Sequence, residues 1–210
     1  MYEKYAKRCL DIILSALGLL CLSWLFLLLA FVIKLDSPGP VLFKQKRVGK
    51  GKTHFYIHKF RTMRTDTPKD MPTHLLTNPQ AYLTRAGRFL RKTSLDELPQ
   101  FWDVLVGNMS VIGPRPALWN QYDLIAERDK YGANDVRPGV TGWAQINGRD
   151  ELEIPQKAKL DGEYINALRH KKGFAMDIKC FLGTFSSVLL HKGVVEGGTS
   201  ALRNQGKSIG

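Results

Sequence analysis

The stretch Arg91-Lys92-Thr93-Ser94-Leu95-Asp96-Glu97-Leu98-Pro99-Gln100 sets two adjacent carboxylates, Asp96 and Glu97, where a helix should begin. Leu98, Phe101, Trp102, Leu105 and Val106 recur at helical spacing, which predicts a helix whose apolar face is buried and holds the acids in a rigid frame. The first N–H groups of a helix lack intrahelical partners and its dipole favours negative charge, so the position suits a carboxylate and an anionic ligand. Ser94 and Glu97 also have the spacing of a capping box, a helix-starting device that needs no chemistry. Taken alone, capping is the better reading. With Ser94 as cap, Pro99 forfeits an intrahelical bond; with Asp96 as cap, it sits in the helix without that cost.

Upstream, Leu83 to Lys92 reads as a short basic helix that brings Arg85, Arg88 and Arg91 to the acidic stretch. Cations beside carboxylates lower their pKa values and hold phosphate esters. Arg64 to Tyr82, punctuated by Pro68, Pro72 and Pro79, reads as a surface loop in which Asp66 and Asp70 are weak metal candidates. Before it, Val41 to Val48 and Thr53 to Arg61 flank the Gly49-Lys50-Gly51-Lys52 turn and predict a β-hairpin. Ser37 to Thr65 carries Lys44, Lys46, Arg47, Lys50, Lys52, Lys59, Arg61 and Arg64 and no acid. Such a run suits anionic headgroups or a substrate phosphate, and with Phe43, Phe55, Tyr56 and Phe60 it also has the makings of a nucleic-acid platform. His54 and His58 lie about 13 Å apart along a strand, too far to share one metal ion.

From Ile12 to Ile33 no residue is charged. At the helical rise these residues make a rod of about 33 Å, long enough for a bilayer core. No small-residue cleavage site is evident, so the segment is expected to be retained. Lys4, Lys7 and Arg8 precede it and Lys34 with the basic hairpin follows, so both flanks ask for the cytoplasmic side. A helix that breaks near Gly18 or Ser23 and returns to its own leaflet satisfies both flanks; a straight span is the alternative.

The sequence of 210 residues suits one domain plus an anchor, and its net charge of +12 points to anionic partners. Cys9, Cys21 and Cys180 are far apart and odd in number, which argues against a disulfide framework. The expected class is α+β: a mostly helical catalytic domain with a small basic hairpin and an N-terminal re-entrant or spanning membrane helix. The expected divisions are a membrane-anchoring helix over 1–36, a cytoplasmic domain over 37–192 and a mobile tail over 193–210.

Downstream of the acids, Met109 to Ile112 reads as a short strand, and prolines on both sides of Arg115 stiffen Gly113-Pro114-Arg115-Pro116. Ala117 to Tyr131 reads as a helix. Arg137 to Arg149 combines glycines, two arginines and several amides, a composition fit for close approach to phosphate, without a Walker or Rossmann fingerprint. Pro155 opens a polar helix, and Phe174 to Lys192 forms a second one whose apolar face is expected to complete the core rather than lie in a membrane interface.

Lys59-Phe60-Arg61-Thr62-Met63, the run Leu90 to Gln100, Gly113 to Pro116 and Arg137 to Arg149 together resemble the bacterial sugar transferase family, the monotopic polyprenyl-phosphate phosphoglycosyl transferases. The resemblance covers nearly the whole chain, and it outweighs capping as the reason for the two acids. It implies that a UDP-sugar gives its sugar phosphate to undecaprenyl phosphate at the cytoplasmic face of the bacterial inner membrane. Asp96 is then the nucleophile, with an aspartyl phosphosugar intermediate and UMP as the leaving group. Glu97 assists, Mg²⁺ is held at Asp96 and Glu97, and Lys59, Arg91, Arg115, Arg137 and Arg149 stabilise phosphate. With no multi-span region ahead of the catalytic part, the small form is expected, similar to enzymes of N-acetylated UDP-sugars such as UDP-N,N′-diacetylbacillosamine. Trp24 follows Ser23 where the family commonly has proline, which weakens the re-entrant expectation. The competing class is a membrane-anchored basic protein that binds nucleic acid or acidic lipid; the enzyme reading needs neither nucleic acid nor a stated oligomeric state.

Overall fold

The computed structural model describes residues 2–68, 79–148 and 152–189. Its helices and strands are, in chain order, α1 (Lys7–Cys21), α2 (Ser23–Asp36), β1 (Leu42–Val48), β2 (His54–Phe60), α3 (Arg85–Thr93), α4 (Gln100–Leu105), β3 (Ser110–Ile112), α5 (Tyr122–Asp129), β4 (Gly139–Thr141), α6 (Trp143–Ile146), α7 (Ile154–Arg169) and α8 (Gly173–Leu189). Helices dominate and the sheets are small, as the α+β expectation requires. Asp70, Pro72, Arg149 and the tail over 193–210 lie outside the described residues.

The charge-free run does not form one rod. It breaks at Leu22, next to Ser23, and α1 and α2 meet at a bend of 60°. No single described helix is long and apolar enough to cross a membrane, although the bent pair has the length and composition together. The bend forms with Trp24 in the proline's place, and docking supplies a cause: α1 lies along α4 and β3, while α2 lies against α3. Arg8 donates to the carbonyls of Val104 at 2.6 Å and Leu105 at 2.9 Å, which closes the C-terminal end of α4. Asp36 accepts from Ala86 N at 2.9 Å and so caps the start of α3.

Strands β1 and β2 pair antiparallel with Phe43 opposite Lys59, Gln45 opposite Ile57 and Arg47 opposite Phe55, so these residues share one face. Lys50–Lys52 closes the hairpin as a single 3₁₀ turn. β2 is fastened to α4 by Asp103, and β1 to the chain beyond β3 by the bond from Val48 N to the Ala117 carbonyl at 3.0 Å. That bond, with the bridge between Arg47 and Leu118, keeps 117–121 out of a helix, so α5 begins at Tyr122 rather than at Ala117. The main core gathers Ile57, Val104, Met109, Ile112, Tyr164, Ile165 and Leu168. A second cluster of Leu29, Ile33, Phe60 and Leu90 joins α2 to the hairpin and α3.

β3 and β4 run parallel, and a Cβ on Gly139 would stand 2.1 Å from Gly113 N, so the two segments cross only because glycine is there. Pro155 lies in the first turn of α7 as expected. The expectation for the last helix fails: Phe174, Ile178, Phe181, Leu182 and Phe185 on α8 are all exposed, while Asp177 and Cys180 turn inward. An apolar face of this kind is suited to an interface outside the protein core.

Candidate active site

Thr84 caps α3 through the bond from Gly87 N to its hydroxyl at 2.9 Å, and the helix ends at Ser94, whose φ of 57° is left-handed. Leu95–Glu97 then forms one 3₁₀ turn, with Pro99 just ahead of α4. The capping box is therefore not made. Ser94 gives no side-chain cap, and the Glu97 carboxylate is taken by cations instead. The predicted buried face is also corrected, because Trp102 is 52% and Val106 48% exposed while Gln100, Asp103 and Val104 are buried. Asp103 turns inward because it accepts from His58 N and faces His58 Nδ1, each at 2.8 Å.

Glu97 stands between two cations. Its Oε1 accepts from Lys59 Nζ at 2.7 Å, and Arg115 reaches Oε2 and Oε1 at 3.2 and 2.5 Å. This forked contact is the strong form of a carboxylate–guanidinium bond. Asp96 is only 7% exposed. Burial pushes its carboxyl above the ordinary carboxylate range, Lys59 opposes the shift, Glu97 adds to it, and Arg91 and Arg115 oppose it. Burial likewise holds the Lys59 ammonium below its usual value, against the pull of Glu97. Arg91 leans on Thr62 through a bond from Nε to Oγ1 at 2.9 Å, which fixes it beside Asp96.

Four of the seven expected site residues thus adjoin a fifth: Lys59, Arg91, Arg115 and Glu97 all act on Asp96. Arg137 is placed elsewhere, donating from Nε to the Gly107 carbonyl at 2.9 Å beyond the end of α4. Arg149 lies outside the described residues. Arg85 and Arg88 are exposed on α3, and of the three it is Arg91 whose charge acts on Asp96. Sequence reading placed Arg47 only in the general basic run and not among the site residues; it donates to the Pro116 carbonyl at 3.0 Å, and its pKa is pushed down to about 9 by burial and then by Arg115. Strand alternation put it on the face of Lys59, which was the signal available.

Among the described residues no group of three or more His, Cys, Asp and Glu side chains could hold a metal ion by itself. Asp96 and Glu97 suit Mg²⁺ only in the manner of sites where one or two carboxylates are completed by substrate phosphates and water. The arrangement is a pair of acids inside a larger set of cations, with a desolvated carboxylate among them. Such an arrangement is suited to an anion and sets a carboxylate beside it.

The two acids among Lys59, Arg91 and Arg115 make a site suited to an anionic substrate. Residues 2–191 match the family described as bacterial sugar transferase, and the chain belongs to that family. Its class is therefore phosphoglycosyl transferase. It is 39% identical over 188 residues to the uncharacterized sugar transferase EpsL of Bacillus subtilis, covering 90% of this chain and 89% of that one. It is 43% identical over 171 residues to the UDP-glucose:undecaprenyl-phosphate glucose-1-phosphate transferase of Escherichia coli, with 78% of this chain and 36% of that one covered. A third relative, the UDP-N-acetylgalactosamine-undecaprenyl-phosphate N-acetylgalactosaminephosphotransferase of Aeromonas hydrophila, is 42% identical over 145 residues, or 68% of this chain and 34% of that one. The chain thus spans about a third of the length of the last two relatives.

Proposed function

We propose that this chain transfers a sugar 1-phosphate from a UDP-sugar to undecaprenyl phosphate in two displacements at Asp96. An Asp96 carboxylate oxygen forms a bond to the sugar-proximal phosphorus, the bond from that phosphorus to the UMP oxygen breaks, and UMP leaves. An oxygen of the lipid phosphate then attacks the same phosphorus, the bond to Asp96 breaks, and undecaprenyl diphosphate sugar is released. The carrying observation is the desolvated Asp96 beside Lys59, Arg91 and Arg115. Those cations neutralise phosphate oxygens as charge moves through each displacement, and fixed donors in a buried site do so without reorganising. Glu97, gripped by Lys59 and Arg115, holds both in place. Mg²⁺ at Asp96 and Glu97 supplies charge screening for the donor's diphosphate when bound.

The re-entrant form of the membrane helix is part of this reading. Lys7 and Arg8 at the start of α1 and Asp36 at the end of α2 all bond to the same folded body, which favours both ends lying on one side of the bilayer, the cytoplasmic side under the charge bias. A cysteine placed near position 3 should resist an impermeant thiol reagent added outside intact cells; labelling from outside would reject re-entry. For the chemistry, the protein is mixed with a panel of UDP-sugars and undecaprenyl phosphate and UMP is measured. UDP-glucose, used by a named relative, and N-acetylated donors, expected of the small form, form its arms. UMP release should occur with at least one donor, and mass spectrometry without lipid should find sugar phosphate on Asp96. UMP release without that adduct in wild type, or with undiminished activity in Asp96→Asn, would overturn the two-step route.

A further inference from the structure

Arg115 aims its guanidinium at Glu97 from a loop that a second set of charges fastens from behind. Arg128 on α5 and Asp161 on α7 are 3% and 1% exposed. Arg128 Nε and Nη2 donate to Asp161 Oδ2 at 2.8 and 2.6 Å, and its Nη1 donates to the Arg115 carbonyl at 2.8 Å. One residue further on, Arg47 donates to the Pro116 carbonyl at 3.0 Å. Burying two charges is costly, and hydrophobic replacements of such pairs are often no less stable, so stability alone is a weak reason for this one. The geometry offers another reason. A guanidinium has separate arms in a fixed fork, and here one edge is locked by Asp161 while the remaining arm is aimed at a single main-chain oxygen. That oxygen belongs to the residue whose side chain forks Glu97, with prolines before and after it to limit the backbone's alternatives.

We propose that Arg128, oriented by Asp161, is a positioning residue for phosphoryl transfer: it fixes the Arg115 main chain so that the Arg115 guanidinium meets Glu97 and the substrate phosphate in one geometry. This rests on the function proposed above. Displacing a catalytic group by about 1 Å can cost on the order of 100-fold in rate, so a carbonyl anchor behind Arg115 bears directly on kcat.

The test is a double-mutant cycle on full-length membrane-embedded protein. Arg128→Met/Asp161→Leu removes both charges together and leaves no buried charge unpaired. Arg128→Lys keeps a charge opposite Asp161 but lacks the arm for the carbonyl, and it serves if the apolar pair does not fold. Either change should lower kcat for UMP release about 10-fold, with KM for the UDP-sugar within about 2-fold of wild type. In an Arg115→Lys background the same change should lower kcat by less than about 2-fold more, because residues acting through one another are not additive. Equal losses in both backgrounds, or no loss in the Arg115 background, would overturn the proposal. Hydrogen exchange without substrate gives a second reading: amides in 113–118 should exchange faster in the variants, and unchanged exchange there also overturns it. If wild type releases no UMP with any donor, the function proposed above fails, and the exchange comparison alone upholds or overturns the fastening of the loop by Arg128.

Discussion

Asp177 and the Asp96–Glu97 pair are both carboxylates buried near a lysine, and they differ in how their charge is balanced. Asp177 accepts from Lys7 Nζ at 2.7 Å, Tyr2 OH at 2.6 Å and Tyr164 OH at 2.8 Å. One acid there meets one cation and two neutral donors, and burial followed by Asp177 itself keeps the Tyr164 phenol protonated. The cluster is closed and ties α1 to α7 and α8. At Asp96 and Glu97, two acids face Lys59, Arg91 and Arg115, with Arg47 beside Arg115. Lys7 and two phenols satisfy Asp177 at a joint between elements, whereas Lys59, Arg91 and Arg115 outnumber the two acids they face, an excess that suits an incoming anion.

Replacing the acid in each cluster should separate the two roles, and the largest effect belongs to Asp96. Asp96→Asn should lower kcat by at least about 1,000-fold, as expected when a nucleophile is removed, measured by UMP release. The same variant should melt higher than wild type at neutral pH. Asp96 has an unfolded value near 3.8 and a higher folded one, so the folded state holds more protons between them and stability is lost as pH rises through that window. The gain in melting temperature from Asn should therefore vanish below about pH 3, where both forms are neutral; a gain that persists in acid would break the contrast. Asp177→Asn should behave oppositely, costing about 3–5 kcal/mol in denaturant unfolding because Lys7 is left buried without its counter-charge. Its kcat per folded molecule should stay within about 3-fold of wild type, since the broken joint lies away from the reacting phosphorus. Arg115→Ala should lower kcat/KM by about 100-fold with a smaller loss of stability, as for one removed electrostatic donor. Ser94→Gly, which relieves a left-handed serine, should stabilise by about 1 kcal/mol in the same unfolding measurement and leave Asp96 reactive.

The hairpin, the short strand β3 and the start of α7 were legible because each has a local signal: the Gly49 to Lys52 turn, the apolar run Met109 to Ile112 and Pro155; β4, within the Arg137 to Arg149 stretch, was not. The acids themselves were legible as a pair, but their local structure was not. A capping box and a 3₁₀ turn share the same letters, and what decides between them is Lys59 and Arg115, which arrive from distant parts of the chain. The outward faces of α4 and α8 were misjudged for a related reason. Trp102, Val106, Phe181 and Phe185 have the spacing of a core face, and periodicity cannot say whether the apolar partner is protein or lipid. Arg128 and Asp161 carried no local signal, because their meaning lies in one main-chain oxygen supplied by a third segment.

The two arms of the bent helix pair α1–α2 reach opposite ends of the segment from α3 to α4, Asp36 at the first turn of α3 and Arg8 at the last turn of α4. The segment between them, which includes Asp96 and Glu97, is therefore held at both ends by helices that meet at Leu22. The turn that carries the two acids is thus tied at both ends to one bent helix pair, so its place in the molecule depends on the 60° angle at which α1 and α2 meet.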